Sequence, residues 1–243
     1  MANHDIHIGT SGWHYKHWRK TFYPDNLRET DWLTYYSKIF NTVELNNSFY
    51  RMPATSTFEK WKASAPPGFN FAVKANRYIT HSKKLQNAAQ YADDFFQRAS
   101  KLEGALGPIL FQLPPHWDIN TDRLADFTQA LPVGPRYVFE FRNQTWYDRQ
   151  VYEILRANNC AFCIYQLAGH LSPLEVTADF VYVRLHGPAG KYEGKYTDAD
   201  LSEWARRCLS WQQRTKAVYI YFDNDQHGYA VENAKTLRTM TNT

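Results

Sequence analysis

The chain has 243 residues, and its 44% hydrophobic and 21% charged content is that of an ordinary globular protein, which excludes a disordered or fibrous one. A net charge of +4 suits an anionic ligand, but no Lys/Arg block exceeds two residues, so a basic nucleic-acid-binding tail is excluded and any cationic patch must be assembled in three dimensions. No stretch approaches the roughly 20 apolar residues that span a bilayer, so no membrane partner is expected. The opening MANHDIHIGT lacks the apolar run of a secretory leader, and three cysteines make no disulfide framework; both point to a reducing cytoplasm.

In chain order, IHIGT (6–10) reads as a strand and runs into the glycine-rich turn GTSGW (9–13). Trp32, Leu33, Tyr36, Ile39 and Phe40 then share a helical stripe. TVELNNSF (42–49) and FNFAVKAN (69–76) read as strands, followed by a helix that contains Phe95, Phe96, Ala99 and Leu102 and is closed by Gly104. PILFQL (108–113), YVFEFR (137–142) and AFCIYQ (161–166) are further strands. Cys160 and Cys163, three apart on the last of these, face opposite sides and cannot share a metal or a disulfide. Segment 167–179, interrupted by Pro173, is too short and broken for a helix. FVYVRLH (180–186) leads to Thr197 and Asp200, spaced as a capping box before a stripe of Leu201, Trp204, Ala205, Cys208 and Leu209, and AVYIYFD (217–223) is the last strand.

Eight strand–helix units at a period of about 30 residues predict a TIM (β/α)8 barrel, one domain over 1–243, with a degenerate βα unit near 167–179. An open doubly wound sheet would suit the same alternation, but no G-x-G-x-x-G follows the first strand.

Side chains alternate along each strand between the barrel interior and the layer under the helices. Glu44, Asn46 and Ser48 oppose Val43 and Leu45; Lys74 opposes Val73 and Ala75; Gln112 opposes Phe111 and Leu113. Glu140 and Arg142 oppose Phe139 and Phe141, and Arg184 and His186 oppose Val183 and Leu185. The polar member comes late in nearly every strand, and the carboxyl ends of barrel strands are where active sites are built. A single Glu–Arg pair inside a barrel is as readily a space-filling ion pair as a functional one. Charges converging from five or six strands are harder to explain that way, because burying them without a task costs desolvation energy.

The stretches GTSGW (9–13), ELNNSFYRMP (44–53), FAVKANRYITH (71–81), ILFQLPP (109–115), EFRNQTW (140–146), RLHG (184–187) and NDQHGYAVENA (224–234) together resemble one family, the YecE-like proteins of the domain of unknown function 72. The resemblance covers nearly the whole chain and implies a TIM barrel; it supplies no activity. Gln166 and Asp223 stand where the family pattern often has Asp and Asn, and neither is counted among the candidate residues.

Lys74, Arg142 and Arg184 supply three positive charges, and Glu44, Glu140 and Asp225 three negative ones. Such a mixture suits an anionic ligand. Glu44, Lys74, Glu140 and His186 are the expected acid/base groups. Binding is expected from Asn46, His81, Gln112, Arg142, Arg184, Asn224 and Asp225, with Trp13, Tyr50 and Trp146 as walls. No H-E-x-x-H or H-x-H spacing occurs and three cations would oppose a dication, so neither metal nor cofactor is expected. No G-x-S-x-G elbow occurs either, and Ser11 is expected to shape a tight turn. Two function classes remain. The first is a metal-independent hydrolase, lyase or isomerase acting on an anionic or phosphorylated small molecule. The second is a nucleic-acid binder or repair-type nuclease that sets the same cations on phosphates.

Overall fold

A computed structural model describes residues 5–86 and 88–242. Its strands are β1 (Asp5–Thr10), β2 (Thr42–Leu45), β3 (Asn70–Lys74), β4 (Leu106–Gln112), β5 (Tyr137–Glu140), β6 (Ala161–Leu167), β7 (His170–Leu171), β8 (Phe180–Leu185) and β9 (Ala217–Phe222). All but β7 run parallel, in the order β1-β9-β8-β6-β5-β4-β3-β2. The ring is completed where Ser11 bridges Glu44 and the Gly12 amide donates to the Glu44 carbonyl at 2.8 Å. This is a nearly closed TIM barrel. Its outer helices are α1 (Trp32–Tyr36), α2 (Asn47–Tyr50), α3 (Thr55–Ser64), α4 (Ala88–Ala99), α5 (Thr121–Gln129), α6 (Arg149–Ala157), α7 (Asp198–Gln212) and α8 (Tyr229–Thr241).

Strand parity divides the core in two. Phe71, Val73, Phe139, Val181, Val183, Ile220 and Phe222 pack in the layer beneath the helices. Ala72, Leu110, Val138, Cys163, Tyr165, Tyr182, Tyr219 and Tyr221 form a separate cluster that fills the barrel. Small residues make room for the interior tyrosines. Gly9 answers a different demand, close approach of backbone to backbone, since a Cβ there would come within 2.2 Å of the Thr42 carbonyl oxygen.

Segment 167–179 carries no helix. The two-residue β7 folds back antiparallel on β6, and hydroxyls take over the backbone pairing beyond it. The Tyr165 amide donates to Ser172 Oγ at 2.9 Å, and Thr177 Oγ1 accepts from the Phe162 amide while donating to the Cys160 carbonyl, both at 2.7 Å. The capping box at Thr197 and Asp200 opens α7 as the spacing predicts.

Two expectations fail locally. The run 42–49 is not one strand: β2 ends at Leu45, and Asn47 Oδ1 takes the Ser48 amide at 2.9 Å to start α2. Ser48 therefore leaves the Glu44 parity and donates its hydroxyl to the Lys74 carbonyl at 2.7 Å. Gly104 does not close its helix by a left-handed residue. Glu103 instead has a positive φ (49°, with ψ −125°) inside a 3-10 turn over Ser100–Ala105. No helix among the described residues is long and apolar enough to cross a membrane.

Candidate functional site

Arg184, on β8 and 1% exposed, is the hub of a charge cluster at the carboxyl ends of the strands. Its Nη2 donates to Glu44 Oε1 at 2.7 Å, its Nε to Glu44 Oε2 at 3.0 Å and its Nη1 to Glu140 Oε2 at 2.7 Å. Glu44 also accepts from Ser11 Oγ at 2.5 Å and Tyr182 OH at 2.6 Å. Glu140 accepts from Gln112 Nε2 at 2.9 Å and from Arg142 Nε. Both carboxylates are thus filled with donors. Burial pushes their pKa values up, but Arg184 outweighs it at Glu44, and Arg142 with Arg184 outweighs it at Glu140, so both end below the usual carboxylate range. They are held as anions.

His186 sets its Nδ1 2.9 Å from Asp223 Oδ2, while its Nε2 meets Arg142 Nη2 at 2.9 Å and Arg184 Nη1 at 3.3 Å. A guanidinium can only donate, so Nε2 is the acceptor and the proton sits on Nδ1, directed at Asp223. Burial, then the Arg184 charge, lowers the His186 pKa and keeps the ring neutral.

Lys74, the last residue of β3 and 8% exposed, differs from its neighbours. Its Nζ lies 4.2 Å from the centre of the Phe49 ring and makes no hydrogen bond or ion pair with any described residue. The nearby carboxylates are already committed elsewhere. Burial, followed by repulsion from Arg184, lowers its pKa to about 8 against the pull of Glu140, Glu44 and Asp223.

Beside this cluster lies a cavity of about 410 Å³ whose walls include His81, Gln112, Arg142, Tyr165, His170 and Tyr192. Arg142 stands over the Tyr165 ring at 4.7 Å and leaves its Nη1 without a hydrogen bond among the described residues. Burial, then Lys74 and Arg77, lowers the pKa of His81 to about 4. A second cavity of about 360 Å³, between the loops after β1 and β2, is walled by Trp13, Tyr15, Asn46 and Trp61. Larger clefts of about 710 Å³ beside Arg98 and about 480 Å³ beside Arg136 are lined by charged side chains none of which is buried, so size alone does not mark the site.

The structure therefore gathers Glu44, Lys74, Gln112, Glu140, Arg142, Arg184 and His186 in one place, with His81 on the adjoining wall. It puts other candidates elsewhere. Trp146 is fully buried, stacked on Phe141 at 4.9 Å with its Nε1 donating to the Trp117 carbonyl at 2.7 Å, so it belongs to the core and lines neither of these two cavities. Tyr50, 73% exposed, lines neither of these cavities. Asn224 is a buttress, donating at 2.9 Å to the Gly194 carbonyl and to Asn233 Oδ1. Asp225 accepts from Trp18 Nε1 at 2.7 Å and lies 2.9 Å from His17, and burial raises its pKa to about 6; it anchors the first loop. Trp13 and Asn46 line the second cavity instead of the first. Asp223, Ser11 and Tyr182 belong to the cluster although the sequence reading left them out. Tyr182 shares the parity of Arg184 on β8, and Asp223 continues that of Tyr219 and Tyr221 just past the end of β9, so the signal for them was present. No group of three or more His, Cys, Asp or Glu among the described residues is placed to hold a metal ion.

The family described as "Protein of unknown function DUF72" matches residues 7–243. The chain is 26% identical to UPF0759 protein YunF of Bacillus subtilis, over 96% of this chain and 93% of that one. It is also 26% identical to UPF0759 protein YecE of Escherichia coli, over 59% of this chain and 51% of that one. Among solved structures, a DUF72 family protein from Thermotoga maritima superposes with a TM-score of 0.88 at 26% identity, covering 98% of this chain and all of that one. One from Enterococcus faecalis gives 0.84 at 19% identity, covering 98% and 96%, and supports the fold alone.

Proposed function

The chain belongs to the DUF72 family, which leaves its chemistry to be read from the barrel mouth, and we propose that this mouth binds a small anionic molecule and carries out acid/base chemistry on it without a resident metal. The observation that carries the reading is Lys74, a nearly buried amine that has the Phe49 ring face beside it but no hydrogen bond or ion pair to a described residue. A buried charge normally has its own counterion, because desolvation is otherwise unrepaid. A ligand anion would provide one. Arg142, with Nη1 unused at the cavity wall, is the second cation and can present a planar donor to a carboxylate or phosphate.

Proton transfer falls to Lys74, whose pKa of about 8 lets it gain and lose a proton near neutrality. Glu44 and Glu140 are poor proton carriers, being ionised and filled with donors; they hold Arg184 and Arg142 in place. His186 is a positioning residue as well, since its acceptor nitrogen is taken up by the two arginines.

Calorimetric titration with inorganic phosphate tests the reading. Arg142→Ala should weaken binding by roughly tenfold, the worth of one charge-assisted hydrogen bond. Binding that survives unchanged in both Arg142→Ala and Lys74→Gln would defeat it.

A further inference from the structure

We infer that Lys74 is a covalent centre, its amine attacking the carbonyl carbon of a small anionic aldehyde or ketone to form an imine. This deepens the proposed function and rests on it for the anion at the mouth.

Four observations converge on that one atom. Lys74 Nζ has no hydrogen bond or ion pair with a described residue, though Glu44, Glu140 and Asp223 are all close enough to influence its charge. A lysine serving only as scaffold would take one of those carboxylates; here each is bound by an arginine, a tyrosine, a serine, a glutamine or a histidine. Lys74 also ends β3, at the face of the barrel where reacting groups are carried. Withdrawal from water and the neighbouring Arg184 guanidinium both favour the uncharged amine and outweigh the Phe49 ring face, which favours the cation; these are the two conditions that activate lysine as a nucleophile. Finally, the free Nη1 of Arg142 can hold the anionic end of the substrate, and the neutral His81 ring on the adjoining wall can pass protons.

The step balances without an oxidant or reductant. Nζ forms the C–N bond as the carbonyl electron pair moves to oxygen; the oxygen collects one proton given up by Nζ and one from solvent and leaves as water, while the nitrogen lone pair completes the C=N bond. The resulting protonated imine withdraws electrons from the adjacent bond, which favours loss of a neighbouring proton or cleavage of a C–C bond. Of the reaction classes open to the mouth, this selects lyase or isomerase over hydrolase, with a 2-oxo acid or a phosphorylated carbonyl compound as substrate.

Glyoxylate, the smallest anionic aldehyde, is the probe. The whole protein is incubated with glyoxylate and cyanoborohydride at about pH 7.5, and each lysine-containing peptide is followed by mass spectrometry. An amine with a pKa of about 8 has roughly a hundredfold larger neutral fraction there than an ordinary lysine. Allowing for hindered access, Lys74 should be carboxymethylated roughly tenfold faster than any other lysine. Inorganic phosphate should slow labelling at Lys74 alone, and Lys74→Met should stay folded and lose only that label. Labelling of Lys74 no faster than exposed Lys20 would overturn the inference. Phosphate titration reads anion binding independently, so loss of the imine chemistry and loss of the anion site are separate results.

Discussion

A lysine withdrawn from water with no carboxylate of its own lowers stability whenever it is charged, and Lys74 is in that position. Its pKa falls from 10.5 to about 8 on folding, so the unfolded chain binds more protons between those values and stability rises with pH through that window. Below about pH 8 the full cost applies, about 3 kcal/mol for a shift of this size. Lys74→Met should therefore raise stability at pH 7 by about 2–3 kcal/mol. In urea unfolding, that advantage should shrink as pH rises from 8 to 10.5. A variant no more stable than the parent at pH 7 would mean that Lys74 has a counterion after all. Residues of this kind were legible because parity within a strand is a strict rule. Glu44, Lys74, Gln112, Glu140 and Arg184 all sit inside strands, and all arrive where alternation puts them. Trp146, Asn224 and Asp225 lie past strand ends, where alternation no longer constrains direction, and their side chains went to local anchoring instead.

Among the elements, the strands were read closely and their ends less so. The run at 42–49 has strand-like composition throughout, yet Asn47 offers the chain a side-chain acceptor that competes with the ladder, and a helical turn wins. Segment 167–179 was legible for the opposite reason, since a proline in so short a stretch leaves no room for a helix; nothing in its composition announced that Ser172 and Thr177 would serve the backbone of β6. The pairing of β1 against β2 depends on Gly9. An alanine there would drive a Cβ to 2.2 Å from the Thr42 carbonyl, and because the obstacle is backbone the strand itself must move. Gly9→Ala should cost about 3 kcal/mol, the upper range for overpacking. Thermal unfolding checks this, and the loss should exceed that of Gly104→Ala, where a Cβ meets nothing within 4 Å.

At the scale of the whole molecule, the barrel followed from the count and spacing of strand–helix units, information spread along the entire chain and robust to local error. The chemistry does not share that robustness, because it depends on a few side chains at one rim. The rim's charges are balanced, with Lys74, Arg142 and Arg184 against Glu44, Glu140 and Asp223, and they converge on one point. A surface that tracks several phosphates releases a counterion at each, and its affinity falls steeply with salt. This mouth, offering one or two partly buried cations, should bind inorganic phosphate with a shallow salt dependence. Anisotropy with a labelled single strand and duplex, at low and near-physiological salt, should show no tight, steeply salt-sensitive binding. Sub-micromolar binding lost in Arg142→Ala would promote the nucleic-acid reading.

The closure of the barrel by Ser11 and Glu44 carries a dynamic consequence. β1 and β2 meet at one bridge, and the same Glu44 that accepts the Gly12 amide on its backbone takes Ser11 and Arg184 on its side chain. Parting the ring at this point would dismantle the charge cluster in the same motion, so the fluctuation that opens the barrel and the one that disarms the mouth are a single event. Deuterium uptake at the Gly12 amide would then act as a gauge of occupancy. An anion that steadies the cluster should slow exchange at Gly12 while amides in α5, on the far side of the barrel, keep their rates.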